Sequence, residues 1–212
     1  MKFGVVVFPG SNCDYDCYHV LKHVLGQETD FVWHKDRAIS KYDCIVIPGG
    51  FSYGDYLRCG ALAGKAPVMD DVKKAAETGV PVLGICNGFQ ILCETQLLPG
   101  ALVRNTSLRF IDQWTDLKLE NNGTSFWKLP YTEVRLPIAH GEGRYVINEE
   151  GLKQIQDGEQ IWWTYKNNPN GSQNNIAGVL NAKKNVAGLM PHPERAVASW
   201  MGSSAGREFF NF

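Results

Sequence analysis

Hydrophobic residues in the first half of the chain fall into two alternating patterns. Short, mostly apolar runs read as strands: 3–8 fully buried, 43–47 ended by Pro48-Gly49-Gly50, and 80–85 buried, with residues 29–33 (Thr-Asp-Phe-Val-Trp) a strand rich in β formers. Between them lie stretches with apolar residues at helical spacing. Residues 13–25 predict a helix with Val20, Leu21 and Val24 inward, closed by Gly26; 61–66 and 69–77 predict two more. Residues 87–94 predict a helix with Phe89, Ile91 and Leu92 inside. Strand-helix alternation of this kind marks a doubly wound, mostly parallel sheet, an α/β fold.

The second half changes character. Short apolar or alternating runs at 104–114, 125–127, 133–139, 144–147, 160–165, 175–180 and 186–190 predict strands, and 203–210 a final helix. Turn signals separate them, clearest at Asn121-Asn122-Gly123 and Asn168-Pro169-Asn170-Gly171. A parallel sheet can carry an antiparallel extension on one edge, so the change need not mark a second domain. With no repeat, low-complexity tract or linker, the expectation is one domain over 1–212.

Composition narrows the class. At 44% hydrophobic and 20% charged, with a formal net charge of -1, the chain reads as an ordinary globular protein. That balance gives no electrostatic reason to expect nucleic acid or an anionic membrane as a partner. The opening apolar run is too short for a secretory leader, and no stretch approaches the roughly 20 apolar residues of a membrane span. The six cysteines include no Cys-x-x-Cys pair and read as thiols in a reducing cytoplasm. Cys13 and Cys17 fit one helix face better than a metal site, and so do His19 and His23, for which no third ligand is apparent. No metal is expected.

The chemistry concentrates at Gly84-Ile85-Cys86-Asn87-Gly88. An apolar strand ends there and a helix begins, which puts Cys86 on a tight strand-to-helix turn. Such a turn presents a nucleophile at the carboxyl end of the sheet and aims a helix amino terminus at it, favouring an anionic sulfur. A nucleophile of this kind needs a base and an orienter. His192, in Met190-Pro191-His192-Pro193-Glu194-Arg195, is the best base: prolines restrict the backbone on both sides, and Glu194, two residues on, can project the same way and fix its tautomer. Pro48-Gly49-Gly50 ends a neighbouring strand, and backbone N–H groups of Gly50 and Asn87 can form an oxyanion hole. His140 lies in a glycine-rich turn, Ala139-His140-Gly141-Glu142-Gly143, near a site. No P-loop ending and no Gly-x-Gly-x-x-Gly occurs. Unaided, these residues point to acyl transfer or amide hydrolysis without naming the substrate.

Gly84-Ile85-Cys86-Asn87-Gly88-Phe89-Gln90, Pro48-Gly49-Gly50 and Pro191-His192-Pro193-Glu194, in that order, resemble the class I (triad) glutamine amidotransferases. The longer stretches 48–58, 139–144 and 190–195, and similarity nearly end to end, resemble one branch of that family, the glutaminase subunits of phosphoribosylformylglycinamidine synthases. The resemblance implies a flavodoxin-like fold. It also implies that Cys86 attacks the side-chain amide of glutamine, that His192 transfers protons and that Glu194 orients it. Gln90, His140 and Gly141 then match substrate-binding positions. The thioester on Cys86 is hydrolysed to glutamate, and the ammonia passes to a separate subunit that makes formylglycinamidine ribonucleotide in purine biosynthesis.

By the same resemblance this chain needs no cofactor. ATP and Mg belong on a large synthetase subunit, joined by a small accessory subunit. The aromatic loop 51–57 is then either a docking surface or a cover packed over the cleft. The alternative is a stand-alone cysteine hydrolase on the same scaffold, such as a γ-glutamyl hydrolase or peptidase.

Overall fold

The computed structural model describes residues 1–37, 39–121 and 126–211. The first-half apolar runs form parallel strands: β1 (Lys2–Val7), β2 (Glu28–Trp33), β3 (Cys44–Ile47) and β4 (Val82–Ile85). Every residue of β3 and β4 is buried, as expected of central strands covered on both faces. Helix α1 (Asp14–His19) runs on through a wider π-helical turn, Val20–Val24, and Gly26 at φ +66° ends it. Helix α2 (Pro67–Glu77) has proline in its first turn. The residue before that proline, Ala66, is extended, so the two helices expected at 61–66 and 69–77 become one tight turn (Ala63–Lys65) and one helix. Helix α3 (Asn87–Glu94) follows β4 directly.

Later elements complete the sheet. They are β5 (Ala101–Val103), β6 (Ile111–Leu119), β7 (Glu133–His140), β8 (Arg144–Val146), α4 (Glu149–Asp157), β9 (Ile161–Tyr165), β10 (Ile176–Leu180) and β11 (Val186–Leu189). One nine-stranded sheet runs β2-β1-β3-β4-β11-β10-β9-β6-β7, and β5 pairs with β8 separately. From β2 to β11 the strands are parallel; from β11 to β7 they are antiparallel. The flavodoxin-like expectation with an antiparallel edge therefore holds.

Several local expectations do not. Residues 104–110 are irregular, so of the strand expected at 104–114 only 111–114, the start of β6, is strand. Phe126 and Trp127 are not in a strand, and Ser125, with residues 122 and 123 of the expected Asn-Asn-Gly turn, lies outside the described residues. Residues 149–157 form a helix that the pattern did not announce, capped by the Asn148 side chain accepting from the Gly151 N–H at 2.8 Å. The last segment is a run of tight 3₁₀ turns, Ala205–Phe210, held by the rings of Phe209 and Trp162, 5.6 Å apart.

Candidate active site

In an open parallel sheet the carboxyl ends of adjacent strands share one rim, and ligands bind where the chain leaves it in opposite directions. β1, β3, β4 and β11 are neighbours in this sheet, and the loops leaving them carry Cys13, Gly49-Gly50, Cys86 and His192. The first two loops are laced together: Cys13 N–H donates to the Gly49 carbonyl at 3.3 Å and Phe51 N–H to that of Gly10 at 3.1 Å.

Cys86 joins β4 to α3 with φ 50° and ψ -103°, a backbone that side chains rarely adopt and that typically costs about 1–3 kcal/mol. The surroundings hold it there. Its N–H donates to Leu189 of β11 at 2.8 Å, and its carbonyl accepts from Gln90 N–H at 3.1 Å. Turn and helix sit so close to β3 that a Cβ on Gly88 would lie 1.9 Å from the Ile47 carbonyl oxygen. Only glycine fits. The Cys86 side chain is buried, with its sulfur 3.8 Å from the Ala139 carbonyl.

His192 faces it from the end of β11. Its N–H donates to the Pro137 carbonyl at 2.8 Å, tying it to β7. Glu194 Oε1 lies 2.6 Å from Nδ1, and both side chains are buried. Burial by itself would lower the histidine pKa. The Glu194 carboxylate beside it, helped by the thiols of Cys86 and Cys13, raises it well above the ordinary value. The ring therefore favours imidazolium, with Nδ1–H held by the carboxylate and Nε2 without a hydrogen-bond partner among the described residues. From the other side β3 fixes the ring in place: a Cβ on Gly49 would lie 2.8 Å from Cε1.

Between these groups is a cavity of about 220 Å³ lined by Cys86, His192, Gly50, Cys13, Ala139 and Arg195, among others. It is smaller than the pockets of about 300–1,000 Å³ that hold drug-sized ligands, so it suits something the size of one amino acid side chain. Gly50 takes φ +133°, where its absent Cβ would meet the Asn12 N–H at 2.6 Å. Asn87 opens α3, so its backbone N–H has no partner within the helix.

Gln90, His140 and Gly141, also singled out from the sequence, are not among the residues that line this cavity. Gln90 is buried, with its amide held at both ends: Oε1 accepts from Asn87 Nδ2 at 2.9 Å, and Nε2 donates to the Glu142 carbonyl at 2.7 Å. It thereby connects α3 to the 140–143 turn. His140 Nδ1 is 3.2 Å from Asn105 Oδ1, and burial lowers its pKa to about 4, so the ring is neutral. Asn105 also accepts from Gly143 N–H, donates its side-chain amide to the His140 carbonyl, and gives its backbone N–H to Gly141. Asn105 carries no sequence motif; its role emerges only from the fold.

A family model for the CobB/CobQ-like glutamine amidotransferase domain matches residues 1–209. The chain belongs to this family. Among solved structures, this amidotransferase is similar to a chain of the PurLQS structure from Thermotoga maritima, at 47% identity and a TM-score of 0.90, over 99% of this chain and 95% of that one. A provisionally assigned GMP synthase component from Thermoplasma acidophilum shares the fold at 18% identity and a TM-score of 0.67, over 99% of this chain and 90% of that one. A glutamine amidotransferase from Thermotoga maritima does so at 17% and 0.60, over 93% and 77%.

For an amidotransferase the arrangement has the needed parts: a sulfur, an imidazolium oriented by a carboxylate, and backbone donors at a helix start and a glycine turn. Reasoning from the sequence missed two groups on the cavity wall. Cys13, read as one face of α1, stands at the amino end of that helix against His192. Arg195, the residue after Glu194, donates Nη2–H to Cys13 Sγ at 3.2 Å and pairs with Asp16 at 3.5 Å. The motif Pro-His-Pro-Glu-Arg contains the arginine, but nothing in its spacing says that it reaches the loop after β1.

Proposed function

We propose that this chain is the glutaminase subunit of a phosphoribosylformylglycinamidine synthase. Cys86 Sγ, its proton passed to His192, attacks the side-chain carbonyl carbon of glutamine, and the oxygen takes up charge facing the N–H groups of Gly50 and Asn87. Collapse of that intermediate breaks the C–N bond, with His192 giving its proton to the leaving nitrogen as ammonia departs. Water then attacks the thioester. His192 accepts a proton from it and returns that proton to Sγ as the C–S bond breaks, so glutamate leaves and the thiol is restored. Glu194 holds the imidazole in the required orientation throughout. Gln90, His140 and Gly141 are the further substrate-binding positions, as the resemblance implies.

The observation that carries this reading is the opposition of Cys86, in its constrained turn after β4, to the His192–Glu194 pair in the loop after the adjacent strand β11. The match at 47% identity to a chain of the PurLQS structure supports placing it in a complex. In that complex a large synthetase subunit carries ATP and Mg, a small accessory subunit joins it, and this chain supplies ammonia. The loop after β3 supports docking beside the site. Ser52 is buried within it, while Phe51, Tyr56 and Leu57 are exposed, the last at 76%.

Reconstitution with Cys86→Ala tests the assignment. Glutamine-dependent formation of the amidine should fall to background while added ammonia still supports it. Loss of both activities would count against the reading. Full turnover of glutamine or γ-glutamyl peptides by the isolated chain would favour a stand-alone hydrolase instead.

A further inference from the structure

We propose that Cys13, Cys86 and His192 together form an inhibitory site for a thiophilic divalent cation, with zinc as the probe. The cavity is lined by two cysteines and the same imidazole, and all three side chains crowd one point: a Cβ on Gly49 would lie 2.8 Å from His192 Cε1, 3.3 Å from Cys13 Sγ and 3.4 Å from Cys86 Cβ. Ligand atoms of Cys13, His192 and Glu194 lie within 4.8 Å of one another, and all three residues are buried.

The donors divide by chemistry. Glu194 Oε1 is already engaged at Nδ1, 2.6 Å away, which leaves Nε2 as the ring nitrogen without a hydrogen-bond partner among the described residues. A carboxylate on one nitrogen of an imidazole whose other nitrogen binds metal is the usual outer-shell arrangement of zinc sites. Two thiolates and one imidazole make a Cys₂His set, which leaves the fourth tetrahedral position open. Zinc needs Zn–S distances of about 2.3 Å and Zn–N of about 2.0–2.1 Å, so the cysteines must rotate inward. The cavity between them leaves room for that movement. Burial pushes the Cys13 thiol up, and Arg195, 3.2 Å from its Sγ, opposes that only in part, so the cation itself must displace the proton. Binding releases three protons to solvent, one from each thiol and one from Nε2 of the imidazolium, and puts one divalent cation in their place. It occupies the sulfur and nitrogen that the proposed glutaminase reaction uses, so inhibition rests on that reading, whereas binding does not.

Cobalt(II) substitution reads the site directly. The full chain titrated with Co²⁺ should develop thiolate-to-metal charge-transfer absorbance. That absorbance should be about halved in Cys13→Ser and in Cys86→Ala, absent in the double variant, and unchanged in Cys59→Ser. Circular dichroism checks each fold, with Cys13→Ala as the second variant should serine perturb packing. In the reconstituted complex, Zn²⁺ should inhibit glutamine-dependent turnover and a chelator should reverse it. Cys13→Ser should need at least tenfold more zinc for half inhibition, measured against its own metal-free rate. Absorbance independent of Cys13, or no thiolate absorbance at all, would overturn the site. Equal zinc sensitivity in Cys13→Ser, with the absorbance behaving as expected, would overturn the inhibitory role.

Discussion

Glu194 Oε1 sits 2.6 Å from Nδ1 of His192, inside the protein and two residues further along a chain kinked by proline. The pair keeps the imidazole charged where burial alone would discharge it. Glu194→Gln keeps the shape and removes the charge. Glutaminase kcat should drop on the order of 100-fold or more, the scale of a lost proton-transfer group. Glu194 raises the histidine pKa, so its loss should move the alkaline limb of the kcat/KM–pH profile to lower pH. An unmoved limb would show that the carboxylate does not set the charge of His192.

Gly49 presses on the same ring. Alanine there would bring Cβ to 2.8 Å from His192 Cε1 and 3.3 Å from Cys13 Sγ. Crowding of this kind usually costs about 1–3 kcal/mol of stability. Gly49→Ala should therefore remain folded with a lower Tm, yet lose at least tenfold in kcat through displacement of the imidazole. Thermal unfolding and steady-state kinetics together check this; unchanged kcat beside a lowered Tm would refute the displacement.

His140 gives a pH signature of a different sign. Its pKa falls from 6.5 to about 4 on folding, because the buried ring resists protonation. The unfolded chain binds the extra proton first. The contribution of His140 is therefore complete above pH 6.5 and is lost as pH falls through the window down to about 4, by up to roughly 3 kcal/mol. His140→Gln should flatten the fall of stability between pH 6.5 and 4, measured by urea unfolding across that range. A variant as acid-sensitive as the parent would place the titrating group elsewhere.

The strands and the reactive turn were legible because their signals are local. An apolar run bounded by Gly or Pro announces β3 and β4, and Gly84 and Gly88 mark the turn around Cys86. Helix α4 was not legible: in Glu-Glu-Gly-Leu-Lys-Gln-Ile-Gln-Asp only Leu152 and Ile155 turn inward, too few for a periodic stripe. The role of Cys13 was hidden for another reason. Its spacing to Cys17 is helical, and that is correct. What brings it to His192 is the sheet order, which puts β1, β3, β4 and β11 side by side and has no trace in local sequence. Gln90 shows the converse: its position one turn after Cys86 was plain, but not that Asn87 and Glu142 take up its amide.

The strand order also sets a schedule. β11 is the last strand made, yet it inserts between β4 and β10, pairing Val186 with Val82 and Leu189 with Ile85. Until it arrives β4 is an open edge, and about 100 residues of chain must be synthesised after that strand before the edge can close. His192 follows only three residues behind β11. A growing chain on the ribosome therefore carries its nucleophile for about half of synthesis without a base, and acquires the pair in the same step that seals the sheet.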